Sequence, residues 1–129
     1  MNRILIIDDD KFVRISIRTV LEAAGYDVDE AQNAFEGLKL QKTHLYDVVI
    51  VDLIMPQKDG LETIKDLKTI YPDLPVVAIS GGGLIVRKNF VGAAKLFGAN
   101  AILTKPFGGE ELLSTMSQIF PRQSSVASC

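Results

Sequence analysis

The chain has one cysteine, Cys129, so no disulfide can close within it and no cysteine framework holds it together. It lacks an excess of positive charge: 14 Lys plus Arg stand against 16 Asp plus Glu, a formal net charge of −2. That balance argues against binding nucleic acid through a basic face. Long apolar runs are missing too. The first, from Ile4 to Ile7, is stopped by aspartates and is too short for a signal peptide. No segment approaches the roughly 18–20 apolar residues of a membrane span. The expectation is a cytoplasmic protein with no membrane and no direct nucleic-acid partner. Histidine is reduced to His44. It is read as lying in the connection after the second helix, far from any strand end, with a surface or packing role.

What is present fits one domain. The chain has 129 residues, 47% of them hydrophobic and 23% charged, which is ordinary for a folded soluble domain and unlike a disordered one. The length does not accommodate both a sensing and a DNA-binding domain. Residues 1–120 are read as the domain, and the small polar stretch 121–129 as a flexible tail or linker stub.

Four aliphatic runs stand out: Ile4–Ile7, Val48–Val51, Val76–Ile79 and Ala101–Leu103. Continuous apolar runs of this length suit strands covered on both faces, as in a parallel sheet. A weaker run, Tyr26–Ala31, alternates with aspartates and reads as a strand near an edge. Between the runs lie helical patterns. Ile17, Val20, Leu21 and Ala24 share one face, stopped by Gly25. Asn33 with Glu36, and Asp59 with Glu62, resemble capping boxes. The second of these opens a helix carrying Leu61, Ile64, Leu67 and Ile70 and stopped by Pro72. Phe90, Ala94 and Phe97 form a fourth face, ended by Gly98. Leu112, Leu113, Met116, Ile119 and Phe120 form a fifth, ended by Pro121. Five β-α repeats predict an α/β fold, a parallel sheet with right-handed crossovers and helices on both faces.

Such sheets carry their sites at the carboxyl ends of the strands. Strand one ends in Asp8-Asp9-Asp10, strand three in Asp52, strand four in Ser80 and strand five in Thr104-Lys105-Pro106. If strands one and three are neighbours, Asp8, Asp9 and Asp52 converge. Three carboxylates in one crevice repel, and a divalent cation relieves the repulsion; an all-oxygen set suits Mg²⁺. Lys105 adds a positive charge and Ser80 a hydroxyl donor. Together they would cradle a phosphoryl group in transfer. Asp52, alone at its strand end and central in the sheet, is the best candidate for a carboxylate nucleophile. Asp10 is read as a helix cap.

These stretches, together with Asp59-Gly60 and Leu53-Ile54-Met55-Pro56, lie in one order over residues 1 to about 120. In that order they resemble a response-regulator receiver domain of the CheY-like family, whose members work in two-component signalling. The resemblance implies a flavodoxin-like (βα)5 fold with strand order 2-1-3-4-5. It implies Asp52 as phosphoacceptor, supplied by a histidine kinase or a histidine phosphotransfer protein. It implies Mg²⁺ bound by Asp9, Asp52 and the Ile54 carbonyl, with Asp8 acting through a water. Ser80 and Lys105 would contact the phosphoryl group, Ser80 moving toward it, and Lys105–Pro106 would be cis. The modified state would act on a downstream protein or an attached output domain, through a surface around helix four, strand five and helix five.

The chain departs from the family pattern in places. The switch position on strand five, usually aromatic, is Ile102, so no flipping ring reports the signal; Ser80 and the loop after strand four are left to do so. Three glycines follow Ser80, predicting a mobile loop from Gly81 to Leu84. Neither Ile54 nor Gly82 can hydrogen-bond an attacking water, which predicts a slowly hydrolysed phospho-form. Two rival readings stand beside this one, the second on the same fold. A Mg²⁺-dependent aspartyl-phosphate phosphohydrolase would want an acid two residues after the nucleophile, where Ile54 stands. A flavin-binding flavodoxin-like module would meet an acidic, unfavourable strand-one end.

Overall fold

Two strands whose side chains are all buried can exist only in a sheet covered on both faces. β3 (Val48–Asp52) and β4 (Val76–Ser80) are such strands. The computed structural model describes residues 2–55, 60–81 and 92–120. Within them β3 and β4 are flanked by β1 (Arg3–Ile7), β2 (Asp27–Ala31) and β5 (Ala101–Thr104), all parallel, in the order β2-β1-β3-β4-β5. This is the predicted flavodoxin-like arrangement, with the half-polar β2 at an edge. The crossovers are α1 (Lys11–Ala23), α2 (Ala34–His44), α3 (Gly60–Ile70) and α4 (described over 92–96), and α5 (Gly109–Ile119) closes the order.

Alternate strand residues point to opposite faces, and the core divides accordingly. Leu5, Ile7, Val49, Val51, Val76 and Ala78 pack with Ala34, Ile64, Leu67 and Ala94 of α2, α3 and α4. Ile4, Ile6, Val48, Ile50, Val77 and Ile79 pack with Ile17, Leu21, Leu112 and Met116 of α1 and α5. Each Val, Leu, Ile or Met among them contributes about 1.5–3 kcal/mol on full burial, so the sheet anchors both layers. Among the described residues no helix is long and apolar enough to cross a membrane.

Several helix expectations need correction. Ala24 is exposed because α1 ends at Ala23 and Ala24 is its C-cap; the stop at Gly25, with φ +96°, stands. Ile70 is exposed rather than buried. Steps of three residues lose 60° each against a 3.6-residue turn, so Ile70 has drifted well off the face set by Ile64. His44 is the last residue of α2, not part of the following connection, and its ring meets Tyr46 edge-on at 6.0 Å between centroids. Asn33 caps α2 by accepting from the Glu36 N–H at 2.8 Å, but Glu36 reaches back to the Gln32 N–H at 3.2 Å, one residue earlier than a capping box requires. Asp59, Phe90, the segment from Gly82 to Leu84 and the tail 121–129 lie outside the described residues.

The start of α3 is set by a close approach. The Gly60 N–H donates to the Leu53 carbonyl at 3.1 Å, and a Cβ on Gly60 would overlap the Asp52 carbonyl oxygen and lie 2.5 Å from Leu53 Cα. Both obstacles are backbone and cannot step aside. Gly60→Ala is therefore expected to cost about 1–3 kcal/mol or more, read as a lowered urea midpoint; an unchanged midpoint would show that α3 can shift freely from β3.

Candidate functional site

Because the strands are parallel, all their carboxyl ends emerge on one edge of the sheet, and the crevice opens where β1 and β3 lie side by side. Asp8 follows β1 directly and is fully buried; Asp9 beside it is exposed; Asp52 is the last residue of β3 and is buried. One carboxylate oxygen from each lies within 4.8 Å of the others. Asp8 Oδ1 accepts from the Asp10 N–H at 2.9 Å, while its Oδ2 is buried with no hydrogen-bond partner. Asp52 Oδ1 accepts from the Ile54 N–H at 3.2 Å, and its Oδ2 lies 3.7 Å from Lys105 Nζ.

Strand register places the remaining groups. Asp52 pairs with Ile79, so Ser80 is one residue beyond it on the neighbouring strand. Ser80 is buried, and its carbonyl accepts the Lys105 N–H at 2.7 Å. The Lys105 stem runs over Gly81, where a Cβ would stand 3.3 Å from Lys105 Cδ. The Lys105–Pro106 bond is cis. Ile54 is half exposed beside Asp52. Ile102, opposite Ala78, packs partly buried against the α2–α3 side of the core. Asp10 caps α1, accepting from the Phe12 N–H at 2.9 Å, as expected for a residue outside the pocket.

Charge in this crevice is unbalanced. Burial pushes the Asp8 carboxyl up to about 7; the neighbouring Asp52 charge adds to the rise, while the Asp10 amide and Lys105 oppose it. Burial raises Asp52 as well, against the Ile54 N–H and Lys105. An extra proton is one answer to this crowding and a divalent cation is the other. The donors are all oxygens, and the orphaned Oδ2 of Asp8 is a buried acceptor awaiting a positive partner, so the residues fit Mg²⁺.

Sequence reasoning missed Arg14, which reaches this site from behind, and Glu30, which holds it there. Arg14 of α1 donates through Nη1 to the Asp8 carbonyl at 2.7 Å and through Nε to Glu30 at 2.9 Å. A signal was available: α1 begins with Lys11 and Arg14 and has no acidic residue in its first turn. Cations are disfavoured at a helix N-terminus, so a cation there calls for a tertiary partner.

Residues 4–117 match the family described as Response regulator receiver domain. The chain belongs to the response-regulator receiver family. Response regulator MprA of Mycobacterium sp. (strain KMS) is 38% identical over 122 residues, which is 95% of this chain and 52% of the relative. The chain thus spans about half the length of the curated relatives it matches. Among solved structures, Vibrio cholerae chemotaxis protein CheY4 is 30% identical with a TM-score of 0.84, over 93% of this chain and 99% of that one. The response regulator receiver domain protein from Clostridium thermocellum is 30% identical with a TM-score of 0.85, over 98% and 99%. Receivers are phosphorylation-dependent signalling modules, and this chain is a receiver.

In the metal-free receiver, Asp8 keeps its proton up to about pH 7 when folded and releases it near the ordinary value of about 3.9 when unfolded. Between those limits the folded state binds the extra proton, so stability falls as pH rises. The thermal midpoint in chelator should drop between pH 5 and 7.5, and Asp8→Asn should flatten the drop. A wild-type profile matching that of Asp8→Asn would overturn this account.

Proposed function

We propose that this receiver takes a phosphoryl group onto Asp52 from a histidine kinase or histidine phosphotransfer protein in a Mg²⁺-dependent reaction, and thereby alters its partner surface. The reading is carried by Asp52 itself: a buried carboxylate with an ammonium 3.7 Å from one oxygen and two further carboxylates clustered beside it. In the transfer, an Asp52 oxygen bonds to phosphorus as the P–N bond to the donor histidine breaks. The electron pair leaves with the imidazole nitrogen, which takes up a proton. Asp9, Asp52 and the Ile54 carbonyl would hold the metal, with Asp8 reaching it through water. Mg²⁺ bound there supplies charge neutralisation on the phosphoryl oxygens. Lys105 stabilises the charge from the opposite side, and Ser80 donates its hydroxyl to a phosphoryl oxygen.

Ile102 offers no ring to rotate, so the reading assigns the switch to movement of Ser80 and the loop after β4, biasing α4, β5 and α5 toward a downstream protein or an attached output domain. The receiver unit is taken as residues 1–120, with 121–129 as tail or linker stub, acting in the cytoplasm without touching nucleic acid or membrane itself. It catalyses only its own phosphorylation and dephosphorylation. Ile54, two residues after Asp52, carries no acid, which disfavours turnover as a phosphohydrolase.

Incubation with Mg²⁺ and a small acyl phosphate, or with beryllofluoride, should give a one-to-one adduct that is lost in chelator and in Asp52→Ala. An adduct that persists in Asp52→Ala, or steady turnover of phosphomonoesters, would refute the assignment. Because Ile54 cannot orient a water, the phospho-form should decay slowly, and Ile54→Asn should shorten its half-life. Rapid phosphate loss from the purified wild type, followed by mass spectrometry, would contradict this.

A further inference from the structure

Behind the carboxylate cluster, α1, β1 and β2 are tied by a chain of charged groups that the proposed transfer does not use. Arg14 lies in the first turn of α1 with its side chain only 13% exposed. Its Nη1 donates to the Asp8 carbonyl at 2.7 Å, and its Nε to Glu30 Oε1 at 2.9 Å. Glu30, on the edge strand β2, accepts from Arg18 through its other oxygen at 2.9 Å, and Arg18 pairs with Glu22 at 3.1 Å. Burial works to raise the Glu30 carboxyl, but hydrogen bonds from Arg18 and Arg14 outweigh it and hold the group ionised below its ordinary value. Glu30 is thus a fixed anion that aims the Arg14 fork.

The target of that fork matters because a peptide unit is planar. The carbonyl of Asp8 shares its plane with the N–H of Asp9, so a bond that fixes the oxygen's direction also fixes how the chain enters Asp9. Asp8 is held on its other sides, by its own N–H donating to the Ala31 carbonyl at 3.1 Å and by its Oδ1 accepting from Asp10. Asp9 is exposed and starts a turn between β1 and α1, yet its carboxylate lies with those of Asp8 and Asp52.

We propose that Arg14, aimed by Glu30, is a positioning residue that locks the Asp8–Asp9 peptide so that the Asp9 carboxylate faces the cation site. The proposal rests on the reading of Asp9 as a Mg²⁺ ligand. It opposes the simplest electrostatic expectation. Deleting a cation close to an acidic pocket should tighten Mg²⁺ binding, whereas deleting a group that orients a ligand should weaken it.

The test is Mg²⁺ titration of the phosphate-free receiver, followed by backbone amide shifts in NMR and by calorimetry. Arg14→Met should weaken Mg²⁺ about tenfold, the lower end of what losing a ligand-orienting contact costs, and should shift the Asp9 amide resonance before metal is added. Arg18→Met removes the other cation from Glu30 without touching Asp8, and should leave Mg²⁺ affinity within about twofold of wild type, outside that range. Thermal unfolding of both variants verifies that each is folded during the titration. Arg14→Lys keeps the charge but cannot span both acceptors with a planar fork, and should also bind Mg²⁺ more weakly than wild type. Unchanged or tighter binding by Arg14→Met, or equal weakening by Arg18→Met, would overturn the positioning role. A wild type that fails to bind Mg²⁺ would overturn the reading beneath it as well.

Discussion

Two buried carboxylates with a third beside them at one edge of a sheet must be balanced by something, and this constraint organises the molecule. Asp8 is fully buried and Asp52 nearly so, and they share a crevice with Asp9. Lys105 offsets part of the charge from across the pocket, at 3.7 Å from Asp52. The rest is left to protons or to a cation. A site that cannot reach neutrality alone responds strongly to whatever neutralises it, which is the physical basis of a switch driven by local charge.

The fold exists to hold that imbalance rigidly. β1 and β3 are buried on both faces, so the ends that carry Asp8 and Asp52 cannot move independently of the two helical layers. β4 and β5 extend the same register outward, which brings Ser80 one residue beyond the partner of Asp52 and ties the Lys105 amide to the Ser80 carbonyl. Gly60 lets α3 start against the backbone of Asp52 and Leu53. On the far side, Arg14 donates to the carbonyl of the peptide that joins Asp8 and Asp9, and Glu30 holds Arg14. Rigid walls around a charged pocket make small shifts at Ser80 or Lys105 costly unless the helices beyond them follow.

Much of this was legible in the chain. The four aliphatic runs marked the strands to within a residue at each end; in β1, β3 and β4 this follows because a strand buried on both faces is apolar almost throughout, whereas β5, expected to be covered likewise, is an edge strand with only Leu103 buried. Helix stops at Gly25 and Gly98 were equally plain, both residues sitting at positive φ. Helix faces were less so: Ala24 and Ile70 continue an apolar spacing in sequence but sit at helix ends, where the helix has stopped or the face has turned away. Asp8, Asp9, Asp52, Ser80 and Lys105 could be listed because each lies at or just past the end of a strand, while Ile54 and Ile102 came from the family resemblance. The contacts behind them could not, since Arg14 and Glu30 are ordinary charged residues 16 positions apart whose meeting depends on how α1 lies over β2.

The sequence by itself determined the order of elements, the two-sided core and the carboxyl-end residues Asp8, Asp9, Asp52, Ser80 and Lys105, because hydrophobic period and strand ends are local properties of the chain. Only the tertiary structure decided which carboxylates are buried, which oxygen of Asp8 is left without a partner, and how far Lys105 stands from Asp52. Those quantities depend on which strands are neighbours and on how the helices shield them from water. Burial and distance then set the charge balance, and no single segment carries that information.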